Sequence, residues 1–191
     1  MTGSQTETAG PYPKELERDV LLKDGERLRI RPIRSDDAQR LIELYDRFSR
    51  HTAYQRFFTV MRRLPPDWAR MLATVDYRRR LALVAERETP GGPELVGVAR
   101  YEPTDRDDTA EVAFAIQDGW QNRGLGTALF ADLLDAAEAR GIRRFVAYVL
   151  ADNIRMLDLI TRFGAVERRT LEQGVVELVF TPRGAPTARV H

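Results

Sequence analysis

The stretch Gln121-Asn122-Arg123-Gly124-Leu125-Gly126-Thr127 carries the most specific chemical signal in the chain. It follows an apolar run, Ala110 to Ile116, that reads as a strand, and it opens a long apolar-periodic segment. A strand that turns through glycines into a helix aims several unpaired backbone N–H groups, and the positive helix end, at one point. Such a point suits an anion, a pyrophosphate above all. Gly124 and Gly126 let the backbone approach a phosphate closely and open conformations closed to other residues. Three phosphate loops compete for the segment. A Walker loop needs Gly-Lys-Ser/Thr, and no lysine stands here. A dinucleotide fingerprint needs Gly-x-Gly-x-x-Gly with an acidic residue further on, and only Gly124-Leu125-Gly126 is present. The pattern Gln/Arg-x-x-Gly-x-Gly/Ala is matched in full by Gln121 to Gly126, against the plainer alternative of a helix start after a turn.

Missing residues restrict the chemistry as much as present ones. There is no cysteine, which excludes disulfides, thiolate metal sites and thiol nucleophiles. The histidines are His51 and His191, and no His/carboxylate cluster has ligand spacing, so no metal is expected. Lys14 and Lys23 are the only lysines among 30 basic residues, and the net charge is +1. That balance provides no field to draw the protein to nucleic acid or a membrane. A chain of 191 residues with 43% hydrophobic and 31% charged side chains suits one domain with a sizeable core. The N-terminus lacks the order of a secretory leader and no run of 18 apolar residues occurs, so a cytoplasmic location is expected.

Periodicity and turn chemistry give the elements that must position the loop. Val20–Leu22 and Leu28–Ile33 flank Asp24-Gly25, a hairpin signal. Ser35-Asp36-Asp37 caps a helix expected to reach about Phe48; Tyr54 to Phe58 is aromatic-rich; Pro66 or Asp67 opens a second helix. Strands are expected at Leu81–Glu86, Leu95–Tyr101, Ala110–Ile116 and Arg144–Leu150. Helices are expected over Gly126–Arg140, with Leu129, Phe130, Leu133, Leu134 and Ala137 on one face, and over Asn153–Phe163. Val166–Leu171 and Val175–Phe180 read as a closing hairpin. The expected division is a flexible tail over 1–15, one domain over 16–182 and a tail over 183–191. The order implies an α/β (α+β) fold with a mixed sheet rather than a doubly wound one.

On these residues the sequence resembles the GNAT superfamily of N-acetyltransferases, over roughly Leu28 to Phe180. The likeness includes the loop and the later segment Asn153 to Ala165. It implies a central mixed, largely antiparallel sheet of about six to seven strands flanked by about four helices. It implies acetyl-CoA as co-substrate, bound by Ala115 and Ile116 at the strand end, by Gln121, Asn122, Arg123, Gly124, Leu125, Gly126 and Thr127 in the loop, and by Asn153 against the pantetheine arm. Glu111 takes the position of general base, with His51 the lesser alternative. Many GNAT enzymes protonate the departing thiolate with a tyrosine whose place here is held by Ile160, which leaves that acid absent or water. Backbone N–H groups near Ile116 are the implied oxyanion donors.

A narrower likeness rests on Leu28 to Arg34, Tyr54 to Phe58, Ala110 to Ala113 and Asn153-x-x-Met156-Leu157. These resemble the acetyltransferase domain of bacterial protein lysine acetyltransferases, which modify proteins such as acyl-CoA synthetases. The implied acceptor is a protein lysine; Tyr54, Arg56, Phe57 and Phe58 are expected on the acceptor-side wall, with core packing an equal account of most of them. A lysine amine has a pKa near 10.4, so reaching its neutral form at pH 7 costs about 4.6 kcal/mol and calls for a base. Without cysteine, direct attack on the thioester is expected. A small-amine acetyltransferase (polyamine, antibiotic or amino acid) and an acyl-CoA-binding sensor remain open alternatives, as does a monomer or a homodimer. Some members carry a fused cyclic-nucleotide-binding domain, which is not expected in a chain of this length.

Overall fold

The computed structural model describes residues 10–59, 61 and 63–184. The tail readings over 1–9 and 185–191, His191 included, lie outside the described residues. Eight strands form one sheet: β1 (Arg18–Leu21), β2 (Arg27–Pro32), β3 (Leu81–Arg87), β4 (Glu94–Pro103), β5 (Thr109–Ile116), β6 (Arg144–Leu150), β7 (Gly164–Glu172) and β8 (Val175–Pro182). Their order is β1-β2-β3-β4-β5-β6-β8-β7. Every pairing is antiparallel except β5 with β6. A parallel neighbour needs a crossover, and α4 (Leu125–Glu138) supplies it. The remaining helices are α1 (Ala38–Asp46), α2 (Arg50–Phe57), α3 (Pro66–Ala73) and α5 (Ile154–Phe163).

Two cores sandwich the sheet. In β3, Leu81, Leu83 and Ala85 face α4, whereas Ala82 and Val84 face α1 and α3. A strand buried on both sides must be apolar throughout, which is why Leu81 to Ala85 shows no alternation. Helix α4 buries Leu125, Leu129, Phe130, Leu133, Leu134 and Ala137 on one side; α1 and α3 bury Leu41, Leu44, Ala69 and Ala73 on the other.

The structure departs from expectation in three places. The sheet holds all eight strands that the residue pattern names, one beyond the upper figure of seven that the resemblance implies, and there are five α-helices rather than four. The additional helix is α2, which the aromatic stretch concealed: only Thr52 of its eight residues is buried, so it lacks an apolar stripe. Residues 10–15, expected in the tail, lie against the domain. Gly10 N–H bonds Asp76 O at 3.1 Å and the Tyr12 hydroxyl donates to Glu17 at 2.8 Å. Finally, Asp37 does not cap α1; its carboxylate turns inward.

That turn builds a buried ion network. Arg31 and Asp37 are 1% and 0% exposed. Arg31 Nη1 and Nη2 donate to Asp37 at 2.7 and 2.9 Å, and Nε donates to Glu86 at 3.0 Å. Burial works against charge on Asp37, but hydrogen bonds from Arg31 and the Arg34 N–H outweigh it and hold the carboxyl below its usual range. The network ties β2, β3 and the approach to α1 together. No helix among the described residues is long and apolar enough to cross a membrane.

Removing one partner of a buried pair is costly because the other charge stays behind. Arg31→Met is therefore expected to destabilise by about 3–5 kcal/mol, read as a lower urea midpoint. The depressed Asp37 pKa contributes stability that is present above the unfolded-state value and lost as pH falls through the folded one. The difference between the two proteins should consequently shrink on acidification.

Candidate active site

Strands β5 and β6 pair only from Thr109↔Arg144 to Val112↔Ala147. Both continue, to Ile116 and Leu150, without further bonds to each other. The wedge between them opens into a cavity of about 550 Å³. On the β4 side, Gln117 N–H bonds Val96 O at 2.9 Å, which makes Ile116 and Gly97 a non-hydrogen-bonded pair. By alternation, Ile116 and Phe114 turn their backbone N–H groups away from β4 and into the wedge.

The crossover helix starts at the mouth of this wedge. Asn122 and Gly124 both have positive φ, 61° and 93°, so the chain reverses sharply before α4. No side chain caps that helix. Its first bond runs from Ala128 N–H to Gly124 O, so the N–H groups of Leu125, Gly126 and Thr127 have no protein acceptor among the described residues. Of these, Gly126 and Thr127 line the cavity, and free donors at a positive helix end suit an anion. The second wall is α5, whose N-cap Asn153 accepts from Met156 N–H at 3.3 Å.

Glu111 lines the cavity where the strands part. Its residue surface is exposed, yet the cavity walls displace enough water that burial raises its carboxyl pKa. The Arg56 guanidinium opposes the rise, and Glu102, directly across the β4–β5 ladder, adds to it. Tyr148 lies on β6, two residues beyond the residue paired with Glu111, and also lines the cavity. Burial, then Glu177 and Glu111, raise its pKa and keep the phenol protonated.

Comparison with known proteins decides what this geometry belongs to. Residues 27–166 match the family described as acetyltransferase (GNAT) domain. The chain belongs to the GNAT family. It is 32% identical to acetyltransferase PA5475 of Pseudomonas aeruginosa over 148 residues, covering 78% of this chain and 80% of that protein. It is 35% identical to acetyltransferase Pat of Mycolicibacterium smegmatis over 77% of this chain, which spans 44% of that longer protein. The crystal structure of the GNAT domain of S. lividans PAT superposes with a TM-score of 0.79 at 38% identity, over 89% of this chain and 99% of that domain. As a GNAT acetyltransferase, the protein is an enzyme whose co-substrate is acetyl-CoA. Among the described residues no group of His, Asp and Glu is placed to hold a metal ion.

Most of the residues expected to hold the GNAT co-substrate meet at this cavity: Ala115, Ile116, Gln121, Asn122, Gly124, Gly126, Thr127 and Asn153 all line it. Two loop residues do not. Leu125 is fully buried in the core. Arg123 forms an ion pair with Asp24 and stacks 4.2 Å over Trp120. Gly126 has no positive φ; a Cβ there would meet Ile116 Cδ1 at 3.3 Å, so its smallness serves packing rather than conformation. On the acceptor side Arg56 lines the cavity, whereas Tyr54 does not and Phe57 packs on Tyr45 and Trp68 at 5.3 and 6.2 Å. Ile160 is completely buried. Phe58, expected on the wall, and His51, the lesser candidate base, also line the cavity, whereas Gln55 and Tyr148 join it without having been singled out; the Ser49 cap of α2 was the signal that could have placed Gln55.

Gly124→Val would force a β-branched residue into a left-handed conformation at the point where the free N–H groups converge. It should weaken coenzyme A binding by about tenfold or more, 1.4 kcal/mol, in a calorimetric titration, with the protein still folded.

Proposed function

We propose that this GNAT enzyme transfers the acetyl group to the side-chain amine of a protein lysine, with Glu111 as general base. The observation that carries the reading is Glu111 at the parting of β5 and β6, inside the cavity and with a raised proton affinity. The likeness to Pat and PAT, and the sequence segments shared with protein lysine acetyltransferases, support the choice of acceptor.

Acetyl-CoA, when bound, supplies an acyl group activated as a thioester. The free N–H groups at the start of α4 fit its pyrophosphate, and the wedge beside Ala115 and Ile116 fits its arm. Glu111 takes the proton from the incoming ammonium, directly or through a water. A carboxylate with raised pKa is the better base for an amine that holds its proton tightly. The Arg56 guanidinium opposes that rise and favours the charged form. The backbone N–H groups of Phe114 and Ile116 face the wedge as donors to a developing oxyanion. Tyr148, held protonated, is placed as a hydrogen-bond donor on the opposite strand. With no cysteine in the chain, no thiol stores the acyl group between two half-reactions.

Two measurements test this. Labelled acetyl-CoA added to a cell lysate with the enzyme should mark a small set of protein bands; label confined to small amines would contradict the acceptor class. Glu111→Gln should lower kcat by about 10²–10⁴ while acetyl-CoA affinity is kept. In the wild type the rate rises with pH as the carboxylate forms, through a limb above the ordinary glutamate range, and that limb should vanish in the variant.

A further inference from the structure

Helix α2 brings Gln55 and Arg56 to the cavity, yet the hydrophobic core hardly anchors its start. Phe57 packs at its C-terminal end. The N-terminal end is held by polar groups, and they come from the connection between β5 and α4. Asp118 Oδ2 accepts the Ser49 N–H at 2.9 Å, and Oδ1 accepts the hydroxyls of Ser49 at 2.6 Å and Thr52 at 2.9 Å. Gln121 Nε2 donates to Thr52 Oγ1 at 3.2 Å and to Ile116 O at 2.9 Å. Arg47, just before the helix, donates to Gln117 Oε1 at 3.0 Å and to Leu95 O at 2.7 Å.

Proton bookkeeping gives this cluster a fixed direction. An ionised carboxylate only accepts, so the Thr52 hydroxyl must donate to Asp118 and can only accept from Gln121. The hydrogen bonds from Ser49 and Thr52 hold the Asp118 carboxyl below its usual pKa despite the burial that opposes them, so it stays ionised. Gln121 is thereby committed to two acceptors, one on α2 and one at the end of β5. It is also the first residue of the loop whose N–H groups converge at α4. Whatever stiffens that loop stiffens Gln121, and through Thr52 and Asp118 it stiffens the start of α2.

We propose that Asp118, Thr52 and Gln121 are positioning residues: a clamp by which the occupied cofactor loop fixes α2, and with it Arg56 beside Glu111. The acceptor half of the site is thus completed by the cofactor half, and the affinities of the two are coupled. The proposal rests on the loop being the coenzyme A seat. A simple alternative exists, because His51, Thr52 and Gln55 also line the cavity and could be touched by the ligand itself.

Hydrogen exchange with coenzyme A alone as the ligand separates the two. In the wild type, the amides of α2 should exchange about fivefold or more slowly once coenzyme A is bound, the lower end of ordinary site–site coupling. Thr52→Val removes the hydroxyl that links Gln121 to Asp118. It should bind coenzyme A within about threefold of wild type yet lose that protection in α2 while keeping it at the start of α4. Asp118→Asn, which puts an amide donor or a lost contact opposite the Ser49 N–H, should behave alike and serves if Thr52→Val does not fold. Undiminished α2 protection in either folded variant would mean direct contact and would overturn the clamp. Binding by the wild type without α2 protection would overturn it too, leaving the cofactor reading intact; no binding at all would overturn both.

Discussion

The parallel ladder between β5 and β6 ends after four residue pairs, and the rest of the site depends on that early end. Had the strands stayed paired to Ile116 and Leu150, there would be no wedge and no free N–H groups facing it. The parallel arrangement has a second consequence. It obliges the chain to cross over through α4, which must begin near the open end of β5. One topological fact therefore places a slot, a row of backbone donors and a positive helix end around the same volume. The two helices that wall the slot, α4 and α5, are held by the apolar core on one face of the sheet, whereas α2 sits on the other.

Charge on that other face is arranged so that one carboxylate is left poorly satisfied. Glu102 is held by Arg100 at 2.7 Å and by Arg80 at 3.2 Å. Glu111, directly across the ladder from it, has no ion-pair partner within bonding distance among the described residues. Partial burial pushes Glu111 toward holding a proton against the pull of Arg56, and the like charge opposite on the same face adds to the push. The buried Arg31–Asp37–Glu86 network shows the contrasting use of charge in the same domain, with every carboxylate paired and the elements locked. One arrangement fixes the frame; the other leaves a carboxylate inclined to hold a proton.

How much of this the sequence revealed depends on the kind of signal. The loop was legible because glycines, a preceding apolar strand and a following apolar stripe all coincide at Gln121 to Thr127, and each reports a local property. Backbone donation at α4 followed from that. Side-chain destinations within the loop did not: Arg123 turns to Asp24 and Trp120, and Leu125 to the core, because partners distant in sequence set those directions. Helix α2 escaped because its residues face solvent and cavity rather than core, so no period of 3.6 exists to be read. By composition Tyr54 and Phe57 suit a substrate wall or a core equally; neither lines the cavity, and Phe57 packs on Tyr45 and Trp68. Likewise Asp37 sits where a cap is expected, and only the tertiary approach of Arg31 shows why it turns away.

The most direct test of the account is a crystal structure of the protein with coenzyme A. The account predicts the pyrophosphate against the backbone N–H groups of Gly126 and Thr127 and the pantetheine arm between β5 and β6, beside Ala115 and Ile116. Coenzyme A bound outside the wedge, or β5 and β6 found paired to their ends in the complex, would contradict it.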